Sequence, residues 1–211
     1  MARTKRSALF NVEYLLRICS ETMADKVDSR VRQTRAALLS ALPALMMERG
    51  YERITIQNVL ERASVGRATF YAHFDSKDDL LAASVANLRT WLVEAWHAMP
   101  DQRLGFTLPL FEHLASHAAI YEKSIARASE VSVERHIRLM LVELVRDDLT
   151  KRRAQRHASA LELAVQYVVG ALWSIIVWWM SNGQRLAPVE INALFQRLAF
   201  PGLDVTLGAK L

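Results

Sequence analysis

From residue 38 onward the apolar positions follow a helical repeat. Leu38, Ala41, Leu42, Leu45 and Met46 keep the i, i+3, i+4, i+7, i+8 spacing, which places them on one stripe of an α-helix. The pattern predicts a first helix over 30–49, closed by Gly50 as a C-terminal cap. Pro43 interrupts it. With no N–H, and a ring that meets the carbonyl of Leu39, it predicts a kink at a cost of about 3 kcal/mol. Thr55 is placed to cap a second helix that ends near Arg62. After a tight break at Ser64-Val65-Gly66, a second short helical pattern starts at Arg67 and runs into Phe70, Tyr71 and Phe74. Ser76 caps the next helix, with Asp78 and Asp79 in the first turn, where a helix favours negative charge; this helix is predicted to reach about Met99. Further helices are predicted over 101–117, 119–128, 131–156, 158–182 and 188–198, punctuated by Pro100, Pro188 and Pro201.

Composition agrees with that reading. Hydrophobic residues are 52% of the 211, enough for a sizeable core, while seven Gly and five Pro are too few for a chain of many turns. The expected class is all-α rather than sandwich or barrel. Residues 1–29 read as an N-terminal arm. Its Leu9, Phe10, Val12, Tyr14, Leu15, Leu16 and Ile18 are compatible with a short packed helix, and 25–29 form a charged linker. Glu13 and Arg17 break the apolar run, so the arm does not read as a signal peptide. The single Cys19 excludes an intramolecular disulfide and points to a reducing compartment.

Leu163 to Met180 is 18 residues without a charge, the lower edge of a membrane span. Gln166, Tyr167 and Ser174 dilute it. A helix apolar all round is equally a buried helix of a soluble protein, and the motif upstream favours that reading.

The motif is Ile54 to Phe74. Two short helices joined by a tight turn, the second opening on a basic residue, make a helix-turn-helix whose second helix enters the DNA major groove. Between Ser29 and His73, seven arginines (30, 32, 35, 49, 53, 62, 67) face three glutamates (48, 52, 61), so this stretch holds +4 of the molecule's net +5. Phosphate neutralisation needs such an excess. Arg67 can reach guanine O6 and N7 with its two-donor fork, Ala68 can meet a thymine methyl, and Thr69 a base or phosphate. Thr55, at a helix N-terminus, and Lys77, just beyond the turn, are phosphate candidates. Phe70 and Phe74, four apart, read as core.

Position by position, Arg30 to Leu81 resembles the DNA-binding unit of the TetR family of transcriptional regulators: an apolar pair, a three-residue turn, then basic, small, Thr69, Phe70, Tyr71, Ala72, His73, Phe74, followed by Asp75-Ser76-Lys77-Asp78-Asp79-Leu80-Leu81. The resemblance implies that Tyr71 and His73 contact phosphates. It also shows a departure. Gly66 stands where the family usually carries a Ser or Thr cap, and Ser64 where it usually has a turn glycine. The implied organisation is a DNA-binding domain over 30–76 and an effector-binding and dimerisation domain over 77–211. For the second domain the aromatic-rich candidates for an effector pocket are Trp91, Trp96, Phe106, Phe111, Tyr121, Met140, Tyr167 and Trp173. Residues 167–180 and 187–198 match the two helices that usually form the dimer interface. There Gly170, Ala171 and Ser174 allow close helix approach, Leu194 adds to the apolar contact, and one of the adjacent Trp178 and Trp179 must face away from the core.

The expected function is therefore a cytoplasmic, homodimeric transcriptional regulator without a cofactor. It would be a repressor released by an apolar or aromatic small molecule, binding a near-palindromic double-stranded operator. Two rivals remain in view. His113 and His117 share a helix face and would suit a metal-dependent helical enzyme, but neither His97 nor His136 is anchored as a third ligand. The uncharged 163–180 stretch would suit a single-span membrane regulator. No phosphate-cradling glycine loop or nucleophile elbow is present.

Overall fold

The structure is a computed structural model that describes residues 29–98, 102–118, 120–121, 131–151 and 158–208. The N-terminal arm, Cys19 included, and most of the 119–128 helix lie outside them. The described residues form α1 (29–49), a 3-10 turn (Tyr51–Arg53), α2 (Ile56–Ala63), α3 (Arg67–Tyr71), α4 (Lys77–His97), α5 (Thr107–Ser116), α6 (Val131–Lys151), α7 (Ala158–Ser181) and α8 (Pro188–Gly208). The fold is all-helical, with no strand among the described residues.

The predicted stripe of α1 is buried throughout, from Leu38 to Met46. The helix runs unbroken through Pro43, which is half-buried. Gly50 ends it with φ 77° while its N–H donates to the Met46 carbonyl (3.0 Å). That left-handed conformation is one an L side chain resists.

α4 leaves the DNA-binding unit and forms the spine of the larger domain. Three ties fix its relation to α6. Arg135 donates to Asp78 (2.9 Å), Arg89 bridges Glu143 and Asp147 (3.0 Å each), and the Lys151 ammonium lies 4.7 Å from the Trp96 ring centroid. The partners advance together along both helices, so α4 and α6 run parallel. Arg146 pairs with Glu162 (2.7 Å), and α7 returns antiparallel to α6. A turn through Gly183 (φ 69°) and Gln184 (φ 50°) sends α8 back along α7, and the Trp179 indole N–H donates to the Leu186 carbonyl across it (3.0 Å). α5 packs on α8, joined by the fully buried Thr107 hydroxyl, 2.7 Å from the Asn192 amide.

Three expectations are corrected. The helix foreseen from 101 starts at Thr107, because residues 103–106 turn, with Leu104 buried at φ 47°. Gly105 in that turn lies against Trp96, where a Cβ would stand 2.6 Å from Cδ1. α8 does not stop before Pro201 but continues to Gly208. Pro201 is exposed, while Ala199 and Leu203 on either side of it anchor the core face and keep the chain helical. Finally, α7 is not buried all round. Ala164, Val165, Val168, Val169, Leu172, Ile176, Trp179 and Met180 face inward, eight of the 18 residues from 163 to 180, while Leu163, Gln166, Tyr167, Ser174 and Trp178 are exposed.

Candidate nucleic-acid interface

The second helix of the motif is capped from both sides. The Thr55 hydroxyl accepts the Asn58 N–H (3.2 Å), and the Asn58 side chain accepts the Thr55 N–H (3.1 Å). This capping box satisfies two N-terminal amides. The Thr55 hydroxyl therefore serves the helix, while the residue stays exposed. Arg62 is tied back to Glu48 of α1, so part of the positive excess is spent within the unit.

At the end of α2, Ser64 adopts the left-handed conformation (φ 53°, ψ 43°) and the Val65 N–H reaches the Leu60 carbonyl (3.0 Å). Gly66 is extended (φ −72°, ψ 154°) and provides no side-chain cap for α3. The exchange seen in the sequence thus sets a non-glycine residue where the backbone favours glycine, and a glycine where a hydroxyl would cap. The double variant Ser64→Gly, Gly66→Ser is expected to gain about 1 kcal/mol from relieved backbone strain and a new cap. A Cβ at Gly66 meets nothing closer than the Thr69 hydroxyl at 3.9 Å. Calorimetry of the full chain should show the melting temperature rising by about 2–4 °C; a fall would show that the turn is not strained.

α3 is only five residues long, and its position is set by what it buries. Phe70 and Phe74 are buried with ring centroids 6.0 Å apart, and the Arg35 guanidinium lies 4.7 Å from the Phe74 centroid. Anchoring Phe70 inward turns its neighbours outward. Arg67, Ala68 and Thr69 are all exposed, as is Tyr71, whose ring stands edge-on to Phe70 at 5.4 Å. No ion pair holds Arg67 among the described residues. His73 is half-buried at the end of the same turn.

Lys77 is placed differently from the other candidates. Its ammonium donates to the carbonyls of Tyr51 (3.0 Å) and Ile54 (2.9 Å) and lies 4.1 Å from the Tyr51 ring centroid. It clamps the start of α4 to the turn before α2. One residue on, Asp78 accepts from Arg135 of α6 and lies 3.7 Å from His136. Next in sequence, Ile137 lines a small apolar cavity in the larger domain, with Leu88 from α4, Leu110 and Leu114 from α5, Trp173 and Ile176 from α7, and Tyr121. Its volume, about 10 Å³, is close to the least that holds one water.

Of the aromatic pocket candidates, Tyr121 and Trp173 reach this cavity. Phe106, Phe111, Met140 and Trp96 are packed solid: Phe106 stands 6.0 Å from Trp96, and Phe111 5.4 Å from Trp179, centroid to centroid. Trp91 is 43% exposed, 5.6 Å from His113, and Tyr167 is half exposed on the outer face of α7. Large rings fill the core or the surface. The walls are mostly aliphatic, and nothing in the sequence marks an aliphatic residue as cavity wall rather than core.

His113 and His117 stack at 4.3 Å. Burial, and then the neighbouring His117, hold His113 down at about 4, so it is neutral at pH 7. Its Nε2 is 3.2 Å from the Tyr121 hydroxyl, whose own pKa burial raises. No cluster of three metal-ligating side chains exists among the described residues.

The outer faces of α7 and α8 carry exposed apolar residues among polar ones, Glu162 and Gln166 on α7 and Glu190 and Arg197 on α8. Trp178 is 54% exposed, and Leu163 and Tyr167 extend the same helix face. Gly170 and Ser174 lie between them, with open space where a Gly170 Cβ would stand. Leu194 and Leu198 lie one turn apart on α8, and Val189 is exposed near its start. Ala171, a candidate for this face, packs its methyl partly against the core instead. Leu163, Val189 and Leu198 add to the expected interface residues, and the four-residue spacings 163–167 and 194–198 carry that signal in the sequence.

Comparison with known proteins agrees along most of the chain. The family model described as bacterial regulatory proteins, tetR family, matches residues 38–84, and that described as transcriptional regulator C-terminal region matches residues 101–200. The HTH-type transcriptional repressor KstR2 of Mycobacterium tuberculosis is 22% identical over 180 residues, covering 77% of this chain and 90% of that protein. A TetR transcriptional regulator from Streptococcus agalactiae superposes with TM-score 0.62 at 21% identity, covering 83% of this chain and 98% of that one. FadR from Bacillus subtilis, in complex with stearoyl-CoA, superposes with TM-score 0.55 at 16% identity over 78% and 97%.

Proposed function

The chain belongs to the TetR family of DNA-binding transcriptional regulators, and from that premise we propose that it is a cytoplasmic one-component repressor. It binds a near-palindromic operator as a homodimer and is released by an apolar or aromatic small molecule. The single observation that carries the DNA half is α3 itself. Phe70 is locked inward, and Arg67, Ala68 and Thr69 are presented together on the exposed face. A helix so presented fits the major groove, and two copies read two half-sites about one helical turn apart. Tyr71, His73 and the N-terminus of α2 at Thr55 flank that face as phosphate contacts, while Lys77 acts as a positioning residue that sets α4 against the unit. Repression, rather than activation, rests on the likeness to KstR2.

The exposed apolar residues of α7 and α8, Leu163, Tyr167, Trp178, Leu194 and Leu198, support the dimer. The stretch that reads as a membrane span packs its other face into the domain, and it lies inside the matched regulator region. That favours a second copy of the chain over lipid as its cover. The apolar cavity supports the effector. FadR, of the same fold, holds stearoyl-CoA, a ligand with a long hydrocarbon part.

A route joins the two functions. Ile137 lines the cavity, Arg135 on the same helix holds Asp78, and Lys77 beside that holds Tyr51 and Ile54. A ligand that moves α6 would shift α4 and with it the spacing of the two recognition helices. Arg135→Ala is expected to preserve operator binding without ligand and to weaken ligand-induced release several-fold. Titration of operator binding against ligand checks this, and unchanged release would remove the route.

Capture of fragmented genomic DNA by the purified protein tests the function as a whole. Recovery of a few discrete sites sharing an inverted repeat is expected. Uniform recovery of all DNA would overturn the reading.

A further inference from the structure

We propose that Arg35 of α1 is a preset contact for a DNA phosphate, which carries the grip on the DNA backbone from the end of the recognition helix onto α1. This rests on the reading of α3 as the recognition helix and extends the contact to a second element.

Arg35 owes its place to the core stripe of α1. It lies three residues before Leu38, on the face that Leu38, Leu42 and Leu45 bury, and is itself exposed. The stripe therefore ends in a cation at the edge of the core. There it meets Phe74, the buried ring that follows α3, and the guanidinium lies over that ring, 4.7 Å from its centroid. The His73 ring is the other neighbour of Phe74, with centroids 6.3 Å apart. Arg35 and His73 thus flank one ring, at the end of the turn that presents Arg67, Ala68 and Thr69.

The mode of contact leaves Arg35 able to bind. Stacking engages the flat face of a guanidinium, while its five N–H donors lie around the edge. Phe74 therefore fixes the head without occupying a donor, and a phosphate can accept two of them side by side. A side chain held in this way has little freedom left to lose when DNA arrives.

Its charge is also left unneutralised. Arg62 is bonded to Glu48, and Arg49 lies 3.9 Å from the same carboxylate. No carboxylate pairs with Arg35 among the described residues. A cation that is fixed in position, unpaired and beside the recognition turn is suited to a polyanion.

Arg103 provides a contrast within the same molecule. Its guanidinium lies over the Phe200 ring, 4.4 Å from the centroid, so the contact is of the same kind. It stands beyond the far end of α4, a helix of 21 residues and so about 30 Å long.

The test measures the affinity of the full-length protein for a random-sequence duplex of about 30 base pairs, three helical turns, as salt is varied. In Arg35→Met the stem still covers Phe74 while the charge is gone. The slope of log affinity against log salt is expected to flatten by about one for each subunit bound, and affinity at about 0.1 M salt to fall about three- to tenfold. Arg35→Lys keeps the slope of the unaltered protein, and Arg103→Met keeps both slope and affinity. The melting temperature of Arg35→Met stays within about 2 °C of the unaltered protein. An unchanged slope in Arg35→Met overturns the proposal, and a lowered melting temperature beside it would assign the residue to the packing of Phe74. An equal flattening in Arg103→Met means that only net charge is read, and overturns it too. If the unaltered protein shows no salt-dependent binding to the duplex, the reading of α3 as a recognition helix falls together with the proposal.

Discussion

Ser174→Glu is expected to leave the chain folded but monomeric, and to abolish operator binding along with the dimer. Ser174 is exposed on α7, between the open space over Gly170 and the exposed ring of Trp178. In the single chain a glutamate there points into water, so its effect on stability is within about 0.5 kcal/mol. In the proposed dimer the carboxylate would be buried against apolar surface with no counter-ion, at a cost of about 3–5 kcal/mol. That weakens the dimer by two to three or more powers of ten. One recognition helix alone then loses the effective concentration that the second half-site provides. Ser174 is a cleaner probe than its neighbour Ala171, whose methyl touches the core, so that a charge there would disturb folding as well. Analytical ultracentrifugation reports the assembly, and operator binding at fixed salt reports the consequence. A Ser174→Glu protein that remains dimeric and binds DNA would place the interface elsewhere.

Arg67→Ala is expected to cost about 1–3 kcal/mol on the specific site and to relax sequence preference at the base pair Arg67 reads. The residue is exposed at the first position of α3, and no carboxylate holds it among the described residues, so its fork is available to a guanine edge. Truncating an exposed side chain leaves the fold of α3 to Phe70 and Phe74, which stay buried. The loss should therefore appear on the specific operator and much less on random DNA. Equal losses on both would reassign Arg67 to the backbone and leave base reading to Ala68 and Thr69.

The sequence by itself determined the DNA-binding unit. Its information is local. The stripe of α1, the Thr55 and Ser76 caps and the Phe70-to-Phe74 spacing each act within a few residues, and each is realised where the pattern put it. The apolarity of α7 was equally legible, and so was the need for Trp178 and Trp179 to face opposite ways.

What tertiary structure decided is every property that depends on a neighbour from another helix. Lys77 reads as a surface cation until the turn before α2 brings two carbonyls to its ammonium. Trp91 and Tyr167 read as pocket rings, but their helix faces turn them outward, while Phe106, Phe111 and Met140 fill the core. α8 passes through Pro201 because Ala199 and Leu203 are buried beside it, a contact that outweighs one missing backbone hydrogen bond. The cavity wall is aliphatic, and leucine and isoleucine look alike in sequence whether they pack solid or border a space. Helix propensity and capping are written in adjacent residues. Which side of a helix meets another element is fixed only when the helices pack, because burial is a property of the assembled surface.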